Sequence, residues 1–480
     1  MEERFLDTYF FDSKLALDVS LKRNQVKTNN PNIRGLQICY YAGKALKKSP
    51  KNCIHVPLEQ VYSYFSTTNN RFPKFVNFTN TDFTNQDKVN FNENLTKTLS
   101  RSVAQNHLLV EEYKKKIREC NPNFETNELR IFISACRETV VMQHISQNIA
   151  KSFKKLGYKV KFYIQKSQME ACGALKSLKA HYKFNPHITV NINHLNNQYL
   201  NEYTYNFTWF QDYMDTFKDS KKIKLRKRDY IFTLFDDMKK ILVSKSVKKC
   251  QIQTQPFCIN TSIYKQRKKI KRENKLVFIG SSYKQNYDNV PISMENKSKI
   301  LKELLKIYKI SGSPSEKVKE KICKKYDISS SYNLGHIINY IERDITIKNI
   351  IKSNPTIKFE LYGYGWEKDD FLCLYNKGVV NQGKDISKIY NSAKFALVSG
   401  GYILQQRTLE ATASGSIPVV LDVRKSKDRN KSIQSAMLFF KTPQEITKLL
   451  QNGKAQNLDI LLAHHSYIKL AKKMISIIKE

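Results

Sequence analysis

A cation and a carboxylate lie three residues apart near the carboxyl end of this sequence, in the segment QQRTLEATASGSIPVVLDV. Arg407 and Glu410 would share one face of a helix, because residues i and i+3 are neighbours on a helix surface. A guanidinium can neutralise a phosphate through two parallel hydrogen bonds, and a carboxylate can accept from two sugar hydroxyls. The same pair is equally typical of an ordinary surface ion pair, which stabilises a helix by about 0.3 kcal/mol.

Two glycines precede this helix. Gly400 and Gly401 follow the buried-strand pattern AKFALVS. Glycine lets the backbone approach a ligand closely, and a helix N-terminus offers unpaired N–H groups to an anion. The combination favours a diphosphate site beside Arg407 and Glu410.

Strand and helix patterns alternate around this segment. LRIFISA predicts a buried strand from Leu129, Thr139 is expected to cap a helix that Gly157 ends, and KVKFYI predicts the next strand. This order predicts a parallel βαβ unit, and the alternation recurs in LVFIGSS, IKFELYGYGW, AKFALVSGG and IPVVLDV. We predict an α/β fold with two Rossmann-like doubly wound domains that face each other across a cleft.

Changes of pattern predict the domain boundaries. Before residue 125 the apolar residues do not recur with a sustained period of 2, as in a strand, or 3.6, as in a helix. The predicted segments are an accessory region of unknown role over 1–125, a first α/β domain over 126–262, a basic linker over 263–274, a second α/β domain over 275–455 and a carboxyl-terminal helix over 456–480.

The chain is strongly basic, with a formal net charge of +39 over 480 residues. This charge attracts phosphates, nucleic acid or anionic lipid, and it is equally typical of a Lys- and Asn-rich genome. The nine cysteines form no CxxC pair, which indicates reduced thiols. No apolar run approaches the ~18 residues of a membrane span, so we expect a cytoplasmic protein and leave peripheral binding at the inner membrane surface open. No HExxH or other metal-ligand pattern appears, so neither a metal nor another cofactor is expected.

The segments LYGYGW, GVV, ISKIYNSAKFALVSGG and RTLEATASGSIPVVLD together resemble the donor domain of GT-B glycosyltransferases of the group 1 type. They are most similar to the group that includes CgeB-like spore-maturation proteins, and they show a weaker similarity to the exostosin donor motif. The resemblance covers about 275–445 well and 126–262 loosely, and it leaves 1–125 uncovered. It implies a metal-independent glycosyltransferase whose second domain holds a UDP- or GDP-type sugar donor. The first domain would hold a protein, surface-glycan or lipid-linked acceptor.

By position, the resemblance places Glu410 on the ribose and Arg407 on the phosphates. Loops that contain glycine would contact the diphosphate and the sugar. The backbone of a short segment at Val380 and Asn381, called the base-binding step below, would contact the base. The implied donor-site residues are Gly280, Ser281, Gly363, Tyr364, Gly365, Val380, Asn381, Gly400, Gly401, Arg407 and Glu410. Many retaining enzymes of this class carry a second glutamate eight positions before the first. Tyr402 stands there, so the stereochemistry stays open.

Transfer to a hydroxyl with inversion needs a general base near the acceptor. Asp212 closes TWFQD at an expected strand end, and the resemblance also points to it. His144 lies on the helix after the first strand, and His194 follows the strand pattern ITVNI. Histidine titrates near neutral pH, but each of the three side chains is also typical of a structural role.

Other functions fit parts of the same pattern. A nucleotide-sugar epimerase or hydrolase would use the same fold. A basic nucleic-acid-binding protein would use the clusters KKIKLRKRD and KQRKKIKREN, although no known nucleic-acid-binding motif accompanies them.

Overall fold

The computed structural model describes most of the chain. The described residues are 8–12, 38–45, 53–78, 83–125, 128–137, 139–167, 169–171, 173–218, 221–311, 314–328, 331–399, 404–422, 431–454, 459, 462 and 465–479. The chain forms two compact units, which are Met1–Gln255 with Ala471–Glu480 (unit 1) and Pro256–Leu470 (unit 2). The segment predicted as a basic linker falls within unit 2.

The amino-terminal part of unit 1 contains a parallel sheet. Its described strands lie in the order β3-β2-β1-β4: β1 (Thr8–Phe11), β2 (Ile38–Tyr41), β3 (Cys53–His55) and β4 (Phe75–Asn77). Phe10 and Phe11 are both fully buried, on opposite faces, because successive strand side chains point in opposite directions. A strand that is buried on both faces shows no alternation of polar and apolar residues, which explains why the sequence shows no period here.

Two helices accompany this sheet, α1 (Val61–Thr67) and α2 (Asn85–Glu119). Thr84 and Asp87 form a reciprocal capping box at the start of α2. Phe91, Leu95 and Leu99 lie on its buried face at the spacing of one helical turn.

A second parallel sheet in unit 1 has a Rossmann-like order. Its described strands lie in the order β10-β9-β8-β7-β5-β6: β5 (Arg130–Ser134), β6 (Lys159–Tyr163), β7 (Ile188–Ile192), β8 (Tyr205–Phe210), β9 (Asp229–Thr233) and β10 (Ile252–Thr254). The helices between them are α3 (Val140–Lys155), α4 (Ala174–Phe184), α5 (Asp215–Lys218) and α6 (Asp236–Ser244). The winding direction reverses between β5 and β7, which are neighbours. Thr139 precedes α3 as predicted, but its side chain makes no capping hydrogen bond.

Unit 2 contains the third parallel sheet. Its described strands lie in the order β12-β11-β13-β14-β15: β11 (Glu273–Ile279), β12 (Lys358–Tyr362), β13 (Ala393–Val398), β14 (Ile417–Leu421) and β15 (Leu438–Phe440). Apolar clusters cover both faces of this sheet. The predicted α/β class with Rossmann-like, doubly wound sheets is confirmed, and in this sheet the winding reverses between β11 and β13.

The helices of unit 2 surround this sheet and form a helical cluster of their own. They are α7 (Lys284–Asp288), α8 (Met294–Ser311), α9 (Glu316–Lys325), α10 (Ser331–Tyr340), α11 (Thr346–Ser353), α12 (Lys384–Ser392), α13 (Gln406–Ala413) and α14 (Ile446–Asn452). A π-helical turn, Ile341–Ile345, joins α10 to α11 and is called the π-turn below. The last helix is α15 (Tyr467–Lys479). None of the helices within the described ranges is long and apolar enough to cross a membrane.

Stability at acid pH tests the packing of α4. His181 is buried between the rings of Phe132 and Tyr199, and burial lowers its pKa from 6.5 to about 3. The histidine therefore stabilises the fold fully above pH 6.5, and this contribution is lost as the pH falls towards 3. Between pH 7 and pH 5 the wild type should lose about 2 kcal/mol more unfolding free energy than His181→Leu. Urea titrations of both proteins at the two pH values measure this difference, and equal losses would contradict the burial of a neutral histidine.

Candidate functional site

The ends of β11 and β13 form the switch point of the sheet in unit 2. In open α/β sheets, ligands bind outside the carboxyl ends of strands at such a point. Gly280 and Ser281 follow β11, and Ser399 follows β13. The predicted Gly400 and Gly401 come next along the chain but lie outside the described residues.

The loop Tyr362–Trp366 is held against the backbone that follows β11. The Gly280 N–H donates to the Tyr362 carbonyl at 2.9 Å, and the Ser282 N–H donates to the Tyr364 carbonyl at 2.8 Å. The Trp366 indole N–H donates to the Gly280 carbonyl at 2.8 Å. Trp366 is fully buried and belongs to the apolar core, so its observed role is packing. The structure therefore brings Gly280, Ser281, Gly363, Tyr364 and Gly365 together after β11.

The contact between these two loops requires glycine at position 363. Gly363 has φ +144°, and a Cβ atom there would lie 2.1 Å from the Gly280 carbonyl oxygen. Real Cβ atoms do not approach a backbone oxygen so closely. The loop that carries Ser281 is therefore positioned by the absence of a side chain at Gly363.

Asp344 of the π-turn holds the same loop from the other side. Its carboxylate accepts from the Ser282 hydroxyl and from the Tyr283 N–H, the latter at 3.0 Å. Burial raises the pKa of Asp344, while these two hydrogen bonds oppose the rise. The loop Tyr362–Trp366 and the π-turn thus fix the backbone after β11 from two sides.

Glu410 lies on α13 and is completely buried. Arg407 pairs with its Oε2 atom, as the spacing of the two residues allows. Its Oε1 atom accepts from the amides of Gln382 at 3.0 Å and Gln406 at 3.4 Å. Arg407 also donates to the Gln382 side-chain oxygen at 3.3 Å. The pair is therefore no surface ion pair but part of a buried polar network.

Tyr264 completes this network. Its hydroxyl oxygen accepts from the Gln382 amide and from the Gly383 N–H, each at 3.2 Å. Burial raises the pKa of Tyr264 above its usual range, and the negative charge of Glu410 raises it further. The hydroxyl thus keeps its proton at neutral pH.

The predicted base-binding step lies just before α12. Val380 packs against the apolar cluster that contains Tyr264. Asn381 is exposed, and its amide donates to the Asp385 carboxylate at 3.3 Å. This step and Glu410 are linked through Gln382, the residue that follows Asn381.

The predicted catalytic residues of unit 1 lie after its strands or on α3. Asp212 is exposed two residues beyond β8, His194 is exposed two residues beyond β7, and His144 is half-buried on α3. Asn193, which the sequence did not single out, organises this edge. It has a left-handed backbone with φ 63°, accepts from the Gln211 N–H at 2.7 Å, and donates to the Asp212 carboxylate at 2.8 Å.

Four residues of these networks were not predicted from the sequence. Each has an uncharged polar side chain that hydrogen-bonds a predicted charged residue or one of its partners: Asn193, Tyr264, Gln382 and Gln406. A signal existed only for Asn193, because asparagine directly after a strand is typical of a left-handed turn.

Part of unit 2 is similar to a family of known proteins. Residues 343–476 match a family model described as glycosyl transferase-like. The predicted resemblance to group 1 type glycosyltransferases is confirmed. The matched segment contains α13 with Arg407 and Glu410, the step before α12, and the loop Tyr362–Trp366.

Solved structures of glycosyltransferases and of a sucrose-phosphate synthase align over most of the chain, at low similarity. Sucrose-phosphate synthase from Thermosynechococcus elongatus is 10% identical and covers 73% of this chain and 98% of its own, with a TM-score of 0.41. The glycosyltransferase AviGT4 of avilamycin A biosynthesis is 9% identical over 73% and 97%, with a TM-score of 0.44. Anabaena HepE, solved with UDP-glucose, is 9% identical over 73% and 100%, with a TM-score of 0.41. Curated protein sequences give no match.

Two glycine-to-alanine substitutions test the close contact after β11. Gly363 and Gly378 both have positive φ, but an added Cβ atom meets nothing within 4 Å at Gly378. Backbone strain in the left-handed region costs about 1–2 kcal/mol in either variant. The steric overlap at Gly363 should cost about 1–3 kcal/mol more. Chemical unfolding of Gly363→Ala and Gly378→Ala measures the difference, and equal losses would contradict the described contact.

Proposed function

We propose that this protein transfers a sugar from a nucleotide-diphosphate sugar to an acceptor hydroxyl, without a metal ion. The observation that carries the proposal is the buried carboxylate of Glu410 on α13, the helix between β13 and β14, within the segment that matches glycosyl transferase-like proteins. Acceptors of the expected classes are a protein, a surface glycan or a lipid-linked glycan. We place the reaction in the cytoplasm, where UDP- or GDP-sugars would serve as donors.

Glu410 would bind the ribose of the donor. Its Oε1 atom is held by amide groups of Gln382 and Gln406, which occupy the places that two ribose hydroxyls would take. Arg407 keeps Oε2 fixed, so the carboxylate is oriented before the ligand arrives. The backbone at Val380 and Asn381 would then meet the base, because Gln382 connects this step to Glu410.

The leaving diphosphate would lie at the carboxyl ends of β11 and β13. Ser281, Gly400 and Gly401 would supply backbone N–H groups there, and Arg407 would add positive charge at the ribose side. Gly280, whose N–H donates to the Tyr362 carbonyl, would position the loop after β11. Preorganised donors of this kind stabilise the charge that develops on a leaving group.

Asp212 is our candidate for the general base. Its exposed carboxylate has one oxygen held by Asn193, which leaves the other oxygen to accept a proton from an acceptor hydroxyl. His144 and His194 are the other candidates at this edge of the unit 1 sheet. The transfer would break the bond between the sugar and the diphosphate, form the bond to the acceptor oxygen, and pass the acceptor proton to the base.

Nucleotide-dependent stability tests the donor site. Wild type is screened by thermal unfolding against UDP, GDP, CMP and ADP and their sugars. One nucleotide family should stabilise it, by about 2.7 kcal/mol at 100 times its dissociation constant. Glu410→Gln should lose most of this gain, because an amide carries one acceptor oxygen and no negative charge. It cannot hold Arg407 and accept from two ribose hydroxyls at the same time. Glu320→Gln, an exposed carboxylate on α9, is the matched control and should keep it.

Two results would count against the proposal. Either no nucleotide stabilises the wild type, or Glu410→Gln responds as the wild type does. Stabilisation by DNA or RNA alone would favour the nucleic-acid-binding alternative. A donor that is cleaved or epimerised without transfer would favour a hydrolase or an epimerase.

A further inference from the structure

The π-turn touches both loops of the switch point in unit 2. The Ser399 hydroxyl, at the end of β13, donates to the carbonyl of Glu342. The guanidinium of Arg343 donates to the carbonyl of Ser281, after β11, at 2.9 Å. Single π-helical turns inside helices occur frequently at functional sites. Here the widened turn places Arg343 at the edge of the sheet where a ligand is expected.

Aromatic rings fix the guanidinium of Arg343 at this place. Its central carbon lies 4.1 Å from the ring centre of Tyr283 and 5.5 Å from that of Phe278. An arginine stacked in this way loses little further freedom when it binds an anion. The side chain is thus oriented before any ligand arrives.

The hydrogen-bonding capacity of Arg343 is not used up by the protein. The Nε atom is buried and has no partner among the described residues, although a guanidinium carries five N–H donors. A buried donor without a partner is destabilising. In a folded protein such a group calls for a physical reason, and a functional role is one of those known.

The backbone beside Arg343 offers a second unused donor. The N–H groups of Gly280, Ser282, Tyr283 and Lys284 all have partners. Within the described ranges the N–H of Ser281 has none, and its side chain is exposed. The guanidinium of Arg343 contacts the Ser281 backbone, so it lies beside the N–H and the hydroxyl of that residue. Donors of these three kinds suit phosphate oxygens.

We propose that Arg343, together with Ser281, binds the diphosphate of the nucleotide sugar. The proposal rests on the function proposed above and adds a cation to it. Arg407 is already engaged by Glu410 and Gln382, so it holds the nucleoside end of the donor. Arg343 would provide the positive charge at the diphosphate end, where the leaving group gains negative charge during transfer.

Titration calorimetry with a ladder of ligands tests this assignment. The probes are uridine, UMP and UDP, and guanosine, GMP and GDP, each titrated into the 480-residue chain. Arg343→Gln should weaken binding of the preferred nucleoside diphosphate at least about tenfold and leave the nucleoside unchanged. It should also lower the salt dependence of diphosphate binding. Lys268→Gln removes one exposed charge from the same unit and serves as the matched control, with wild-type affinities.

A second variant distinguishes the loss of the charge from a loss of folding. Arg343→Met keeps an unbranched stem against Tyr283 and removes only the charged group, so it should show the same selective loss. Equal weakening of nucleoside and diphosphate, or wild-type diphosphate affinity in a folded variant, would overturn the role of Arg343. If the wild type binds none of the six probes, the failure lies with the proposed donor function itself.

Discussion

The buried charge of Glu410 is the constraint around which the candidate site is arranged. A carboxylate removed from water is stable only when cations and hydrogen-bond donors surround it. Arg407 supplies the cation, and Gln382 and Gln406 supply the donors. Because these partners lie on α13 and on the loop before α12, satisfying the carboxylate also fixes the two segments that we assign to the ribose and the base.

The phosphate end of the proposed site depends on a different constraint, which is the close approach of backbone segments. Gly363 allows its loop to meet the Gly280 carbonyl, and the π-turn contacts the loops after β11 and β13. Rigid positions of this kind let N–H donors and a guanidinium act on developing negative charge without reorganisation during the reaction. The nucleoside end and the phosphate end are thus built by separate interactions within one unit.

The sequence predicts the elements well where apolar runs end in glycine, as in β11 and β13, or where spacing alone decides, as for Arg407 and Glu410. It could not predict that Glu410 is buried, because its partner Gln382 lies 28 residues away. It could not identify Arg343 either. A π-turn leaves no mark on the composition of a helical segment, and the contact of Arg343 with Ser281 spans 62 residues. Strands β1 and β2 escaped notice because burial on both faces removes the alternating pattern. Strands β3 and β4 span three residues each, which is too few to establish a period.

Hydrogen–deuterium exchange with and without saturating nucleoside diphosphate would locate the ligand. If unit 2 binds the donor at the switch point between β11 and β13, as we propose, backbone amides in the peptides that cover 280–284 and 378–384 should exchange more slowly. Exchange in the basic segment 221–228 of unit 1 should be unchanged. Slower exchange confined to 221–228 would mean that the ligand binds as a simple polyanion and that the proposed donor site is wrong.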